Sequence, residues 1–265
     1  MRYFFVEPEE LARPVVTITG AEARHMGKVL RLKPGMVVGL SDGGGLQGEA
    51  RIAKMSREQV ELTVLRRYPS PREPRGELMI AQAMLKDQKM DLLVRQLTEL
   101  GMTAWQPFIS ARSVPQPDPR RQAARGERWE RIAREAVKQC RRGRVPAIGP
   151  VGQLADVLEM SRRFATRIMF WEGACQPLPP AAETVGDSPG TVLVAVGPEG
   201  GFTEDEAAAA EEAGFQLASL GPRILRAETA AVAACTLAQH LYGDLTRTPP
   251  MEDDQASADG AWESF

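Results

Sequence analysis

The chain has 265 residues, 43% of them hydrophobic and 26% charged, ordinary for a globular protein with room for one large or two modest domains. No apolar run approaches the roughly 20 residues that cross a bilayer, and Glu7, Glu9 and Glu10 break the start too early for a secretory signal, so neither a membrane span nor export is expected. The formal charge of −2 conceals a split: residues 1–150 carry 27 basic and 17 acidic side chains, and the remainder carries 6 and 18.

Such asymmetry points to a polyanion-facing part and a part with another task, although composition alone fits a partnerless charged surface equally well. Cys140, Cys175 and Cys235 have no CxxC spacing. They read as buried free thiols, with no disulfide framework and no metal site expected.

Strands fill the first 68 residues. Gln59–Val64 alternates apolar with polar side chains, and Met36–Leu40 and Glu49–Ala53 predict the arms of a hairpin. Between them, Gly43-Gly44-Gly45-Leu46-Gln47-Gly48 fits G-x-G-x-x-G. That fingerprint binds dinucleotides only where a helix opens within it, and here an alternating strand follows, so a turn is expected. Tyr68–Gly76 holds three prolines in nine residues and is read as a linker. It divides a domain over 1–70 from a second over 76–247.

The second part alternates strand and helix. Strands are expected at Leu78–Met84, Ala104–Ile109, Arg167–Trp171 and Thr191–Val196. Helices are expected at Lys86–Leu100, closed by Gly101, at Arg120–Arg142, at Glu204–Ala213 behind a Thr203/Glu206 capping box, and at Thr229–Tyr242. This alternation predicts an α/β fold with a mainly parallel sheet covered on both faces. From Thr248 there are five acids and no bases, so 248–265 is expected to be a disordered acidic tail.

Two segments carry chemistry. The strand ending at Val196 runs into Gly197-Pro198-Glu199-Gly200-Gly201-Phe202 before a helix opens. Ligands of open α/β sheets sit at carboxyl strand ends, where glycines let backbone approach them; a ligand-free glycine connection is the plain alternative. One helix later comes Leu220-Gly221-Pro222-Arg223-Ile224-Leu225-Arg226-Ala227-Glu228-Thr229-Ala230. Glu228 near a helix N-terminus suits the dipole, whereas a cation such as Arg226 is unfavourable there and calls for an external anion or a buried partner.

The basic half offers Arg24, His25, Lys28 and Arg31, which share a face if the segment is helical. From Arg112 to Arg144 there are 11 basic and 4 acidic residues, more than i,i+4 pairing uses, ending in Arg141-Arg142-Gly143-Arg144. That end is read as phosphate-binding.

The two glycine loops together resemble the signature segments of the RsmE family, the 16S ribosomal RNA uracil-N3 methyltransferases of the SPOUT superfamily. Further matches are His25-Met26-Gly27-Lys28-Val29-Leu30-Arg31, Lys89-Met90, Glu99-Leu100-Gly101, Glu135–Cys140 and Arg144-Val145-Pro146. The resemblance implies an N-terminal PUA-like β-barrel, a C-terminal SPOUT α/β domain with a deep trefoil knot, and a cytoplasmic homodimer. It further implies S-adenosyl-L-methionine held by Glu172 and Gly173, by Gly197, Pro198, Glu199, Gly200 and Gly201, and by Leu220, Gly221, Ile224 and Leu225. The partner would be 16S ribosomal RNA or the 30S subunit, met by Arg24, His25, Lys28, Arg31, Lys86, Lys89, Arg141, Arg142 and Arg144. Arg226 would stabilise the uracil anion, and Glu228 or Glu199 would accept the N3 proton. A SPOUT enzyme acting on another base or a ribose 2′-hydroxyl, and a non-catalytic RNA-binding protein, are the competing readings.

Overall fold

The computed structural model describes residues 1–86, 88–114, 119–176, 178 and 190–246, without the side chains of 119–121; the expected acidic tail lies outside the described residues. The chain divides into two compact units. Met1–Glu73 and Val137–Val145 belong to the first, and Pro74–Ala136 with Pro146–Arg247 belongs to the second.

The first unit contains β1 (Tyr3–Phe5), α1 (Pro8–Leu11), β2 (Val15–Thr19), α2 (Gly20–Arg24), β3 (Val37–Ser41), β4 (Leu46–Met55) and β5 (Gln59–Pro69). Its five strands pair in the order β1-β3-β4-β5-β2, so by hydrogen bonding the expected barrel is a path with two ends. The period-2 pattern does its work at β2 and β5, where Val16 faces Leu62 and Ile18 faces Val60 across the ladder. All four are buried, together with Phe4, Leu40, Ile52 and Met26. Asp42 shapes the glycine-rich turn between β3 and β4. Its Oδ1 accepts the N–H groups of Gly44, Gly45 and Leu46 at 2.7, 3.0 and 3.0 Å, and β4 follows at once, which leaves no helix N-terminus for a phosphate.

Two expectations change here. Tyr68 and Pro69 close β5 rather than opening a linker. The helical face expected for His25 and its neighbours is interrupted, because α2 gives way to a wider π-turn over His25–Val29, with the Leu30 N–H donating to the His25 carbonyl at 3.0 Å.

The second unit contains β6 (Glu77–Ala83), α3 (Lys89–Glu99), β7 (Ala104–Ile109), α4 (Pro119–Cys140, its last turn in the first unit), β8 (Ala147–Ile148), β9 (Gly152–Gln153), α5 (Leu154–Met160), β10 (Thr166–Phe170), β11 (Thr191–Val196), α6 (Glu204–Glu212), β12 (Gln216–Ala218) and α7 (Ala227–Tyr242). The strands pair in the order β12-β10-β11-β6-β7-β8, with β9 also on β7, and every pairing is parallel. The central strands are apolar on both faces because both are covered. Met79, Ala81, Leu193 and Ala195 pack with Val157 of α5 and Ala210 of α6. The alternate residues Ile80, Val192 and Val194 are equally buried, and α7 packs on β6 and β11. Gln239 of α7, itself buried, donates to the Gly101 carbonyl at 2.8 Å and ties α7 to the end of α3. Gly101 takes φ +91°, the left-handed cap for which glycine is the favoured residue.

Among the described residues no helix is long and apolar enough to cross a membrane. Cys140 is half-buried and Cys235 buried, but Cys175, expected inside, is exposed.

Candidate cofactor and reaction site

Parallel neighbours deliver their loops to the same edge of a sheet. β12, β10 and β11 are adjacent, so the segments that follow them converge although they lie far apart in sequence. They enclose a cavity of about 950 Å³, at the upper end of the roughly 300–1,000 Å³ typical of small-molecule sites. Its wall includes Glu172 after β10, Gly197, Pro198, Glu199, Gly200 and Gly201 after β11, and Leu220, Gly221, Ile224, Leu225 and Arg226 after β12. Gly173, expected beside Glu172, is exposed next to this wall, and a Cβ there would lie 2.5 Å from the Trp171 ring.

Each loop is fixed locally. Gly197–Gly201 folds into a turn closed by the Gly201 N–H donating to the Pro198 carbonyl at 3.0 Å. Buried Phe202 anchors it by stacking on Phe108, and Thr203 accepts from the Glu206 N–H at 3.1 Å to start α6. From outside, Arg112 donates to the Gly200 carbonyl at 3.0 Å. Gly201 has φ +68°, and a Cβ there would stand 1.9 Å from Glu172 Oε1, so the Glu172 side chain rests in the space that this glycine leaves open. The other junction is the Ser219 N–H, which donates to the Gln176 carbonyl at 2.8 Å. Ile224 is 92% exposed, an apolar side chain presented to the cavity it lines.

Arg226 is the N-cap residue of α7, with exposed side chain and extended backbone. Glu228 lies two residues on. Lys89, at the start of α3, brings its Nζ to 3.1 Å from Glu228 Oε2 and to 3.1 Å from Glu199 Oε1. The Lys86 N–H also donates to Glu199 Oε1, at 3.2 Å. Partial burial works against ionisation of Glu199, but its own backbone N–H, the Lys89 ammonium and the Lys86 N–H outweigh it and hold the carboxyl below the usual range. Glu228 is held low chiefly by its own backbone N–H, then by Lys89 and the nearby Arg226 charge, against some desolvation. The hydrogen-bonded Glu199 carboxylate and then the ion-paired Glu228 push the Lys89 ammonium up.

Two side chains expected at RNA are placed otherwise. Lys89 lines the cavity between two carboxylates, which compete for its charge. Arg142 is 4% exposed, with its guanidinium on Glu73 Oε2 at 3.1 Å, while Glu73 Oε1 accepts the N–H groups of Gly143 and Arg144 at 2.6 and 2.9 Å. A buried, paired guanidinium holds the chain rather than a phosphate. Arg24, His25, Lys28 and Arg31 are all exposed within eight residues of the first unit, although Arg24 already pairs with Glu58 at 2.6 Å. Arg144 is exposed and donates to the Gly44 carbonyl at 3.1 Å; Arg141, half-buried, adopts φ +64°. Lys86 is exposed.

Ser219 and Cys175, which also line the cavity, and Gln82, which bonds the cofactor turn, were not anticipated, whereas Pro222 and Arg223 of the expected Leu220–Leu225 segment line it too. Buried Gln82 donates to the Gly197 carbonyl at 3.2 Å, and only its polarity within the apolar run of β6 marked it.

Known proteins share this fold. Residues 71–239 match the model of an RNA methyltransferase domain, and residues 18–65 that of an RNA methyltransferase PUA domain. The chain belongs to the ribosomal RNA small subunit methyltransferase E family. The member from Bacillus subtilis is 31% identical over 82% of this chain and 86% of its own length. That from Synechocystis is 32% identical over 86% of this chain and 74% of its own. Among solved structures, the family member from Neisseria gonorrhoeae bound to S-adenosyl methionine superposes with a TM-score of 0.79 at 32% identity, over 92% of this chain and 99% of that one. A Legionella pneumophila methyltransferase in complex with the same cofactor gives 0.81 at 26% identity, over 92% and 98%. The chain is thus an α/β protein with an N-terminal PUA-like domain.

Proposed function

We propose that this chain methylates N3 of a uridine in 16S ribosomal RNA, free or in the 30S subunit, using S-adenosyl-L-methionine. The observation that carries the reading is the cavity of about 950 Å³ at three adjacent strand ends, with Arg226 at its rim, in a chain of this family. The residues present fit such a cofactor. A glycine turn that a Cβ at Gly201 would fill, backbone polar groups on three loops and the exposed Ile224 suit an amphipathic ligand with an adenine and an amino-acid end.

When bound, the cofactor supplies a methyl carbon already activated by a sulfonium, so the protein needs no covalent nucleophile. Its contribution is placement. The three loops, centred on Glu172 and Gly173, Gly197–Gly201 and Leu220–Leu225, hold and orient the cofactor in this reading. Loss of the N3 proton leaves negative charge on the uracil carbonyl oxygens, and Arg226 supplies the compensating guanidinium. Glu199, which lines the cavity, accepts the proton; as a carboxylate held low it is a weak base, so Arg226 must first make N3–H more acidic.

In this reading residues 1–70 form the RNA-binding PUA-like domain, with Arg24, His25, Lys28 and Arg31 on phosphates; Lys86, Arg141 and Arg144 are further RNA contacts. Residues 76–247 form the SPOUT domain with its trefoil knot, in a cytoplasmic homodimer. The knot is supported by the family alone.

Calorimetry with S-adenosyl-L-methionine and single-turnover methylation of small-subunit RNA test the proposal. Arg226→Ala is expected to cost about 10²–10³ in rate, the scale of one oxyanion donor, with cofactor affinity retained. An unchanged rate would remove Arg226 from the mechanism, and absence of cofactor binding by the wild-type chain would remove the enzyme.

A further inference from the structure

Among the described residues, the charged side chains that line the cavity are Lys89, Glu172, Glu199, Arg223 and Arg226, and of these Lys89 comes from neither a cofactor loop nor the cap of α7. It is contributed by the first turn of α3, which follows β6, the parallel neighbour of β11. Its ammonium is 3.1 Å from a carboxylate of the turn after β11 and 3.1 Å from one in the first turn of α7. Three elements, the first over a hundred residues from the other two, therefore meet on one nitrogen. Each of its two ion pairs has a separate consequence.

The Glu199 pair fixes the carboxylate that faces the ligand space, with the Lys86 N–H holding the same oxygen. The Glu228 pair fixes the start of the helix whose cap is Arg226. Glu228 is the more enclosed partner, with Oε2 buried, so it serves the ammonium from behind rather than the cavity. Remove the ammonium and two carboxylates are left facing the same gap. Like charges at such a distance are relieved by one of them taking a proton, or by moving apart, which would carry the cofactor turn away from Arg226.

We infer that Lys89 is a positioning residue for the methyl transfer: its charge sets the Gly197–Gly201 turn against the start of α7, so that Glu199 and Arg226 address the same substrate atoms. This rests on the methyltransferase reading above. Lys89 touches no reacting atom in it and acts through the two carboxylates. Among the described residues the other charges lining the cavity are Arg226 and Arg223 on the β12–α7 segment and Glu172 on the β10 loop, and none of them lies within ion-pair distance of both Glu199 and Glu228.

The test is a charge cycle of Lys89→Met, Glu228→Gln and the double variant, with Lys89→Arg as the conservative control. Single-turnover methylation is followed across pH, and cofactor affinity is measured by calorimetry. Lys89→Met is expected to lose about tenfold or more in rate, the scale of coupling within one charged network. Its rate should also fall more than its cofactor affinity, and its pH–rate profile should gain an acid-side limb absent from wild type. Lys89→Arg should stay within roughly threefold of wild type, since the charge is kept. The double variant should be faster than Lys89→Met, because removing one carboxylate relieves the repulsion; a merely structural lysine would give losses that multiply. A wild-type rate in Lys89→Met, or multiplying losses in the double variant, overturns the inference. Should Lys89→Met fail to fold, a Lys89→Arg variant as slow as Glu199→Gln overturns it equally. These outcomes are separate from failure of the methyltransferase reading, in which the wild-type chain itself binds no cofactor or methylates nothing.

Discussion

Gly201→Ala isolates the meeting point of two cofactor loops. The residue sits at φ +68°, where an alanine costs about 1–2 kcal/mol because its Cβ crowds the following carbonyl. That backbone cost cannot be relaxed away. The second cost is steric: the new Cβ would stand 1.9 Å from Glu172 Oε1 and 2.7 Å from its carboxyl carbon. Both atoms end a flexible side chain, so Glu172 will swing aside rather than hold the clash. The expected outcome is thus a melting point lower by about 2–4 °C per kcal/mol, together with cofactor affinity weakened because one wall has moved. Differential scanning fluorimetry and calorimetry with S-adenosyl-L-methionine read the two effects separately. Gly201→Ala with Glu172→Ala should leave the melting shift in place and remove the clash. If Gly201→Ala binds cofactor like wild type with an unchanged melting point, the account of this turn is wrong.

The remaining expectations concern other parts of the molecule. Glu73→Ala removes the carboxylate that pairs with buried Arg142 and accepts the Gly143 and Arg144 N–H groups, and urea unfolding should show a loss of up to about 3–5 kcal/mol, the scale of a broken buried pair; a loss under about 1 kcal/mol, the range of exposed pairs, would make the Glu73 cluster ornamental. Because Glu199 and Glu228 titrate below their unfolded values, their contribution is full above about pH 4.3 and is lost as pH falls through the lowered folded values; Lys89, raised in the fold, contributes fully below about pH 10.4 and loses its contribution as pH rises through the raised folded value. Melting curves should accordingly be less sensitive to acid in Glu199→Gln than in wild type. Replacing Lys28 and Arg31 by alanine should reduce the salt dependence of RNA binding by a slope of about 0.7–0.9 for each phosphate that is no longer neutralised, read by filter binding at several salt concentrations, while leaving cofactor affinity unchanged.

Local signals carried much of the fold. Buried strands announce themselves as apolar runs, so β6, β7, β10 and β11 were legible nearly to the residue. The Thr203/Glu206 box and Gly101 marked helix ends because capping is chemistry between near neighbours. β12, three residues long, and α5, seven long, offered too little periodicity to read. Distance in sequence hid the rest. Lys89 looks like any surface lysine until β6 is known to lie beside β11, which puts it 110 residues from its Glu199 partner in sequence but within 3.1 Å in space. Likewise Arg142 sits in a basic run, and only the fold brings Glu73 against it, 69 residues away. The unfavourable charge of Arg226 at a helix start was legible, since the dipole penalty is a local matter.

The pairing of the parallel sheet also dictates when this protein can exist. β6 opens the second unit, yet its inner neighbour β11 is made of residues 191–196, and Glu77 aligns with Thr191 across that ladder. Until β11 has left the ribosome, β10 has nothing to bridge it to β6, and the edge on which the cavity stands is missing. Non-local parallel pairing of this kind folds slowly, because the loop must close before any ladder bond rewards it. Nascent chains therefore carry an apolar β6 without its neighbour β11 while the chain between Ala83 and Val196 is made, and depend on the last part of the sequence to complete the sheet. The ligand cavity is in effect a record of nearly finished translation: a chain cut short before β11 lacks two of the three loops that line it.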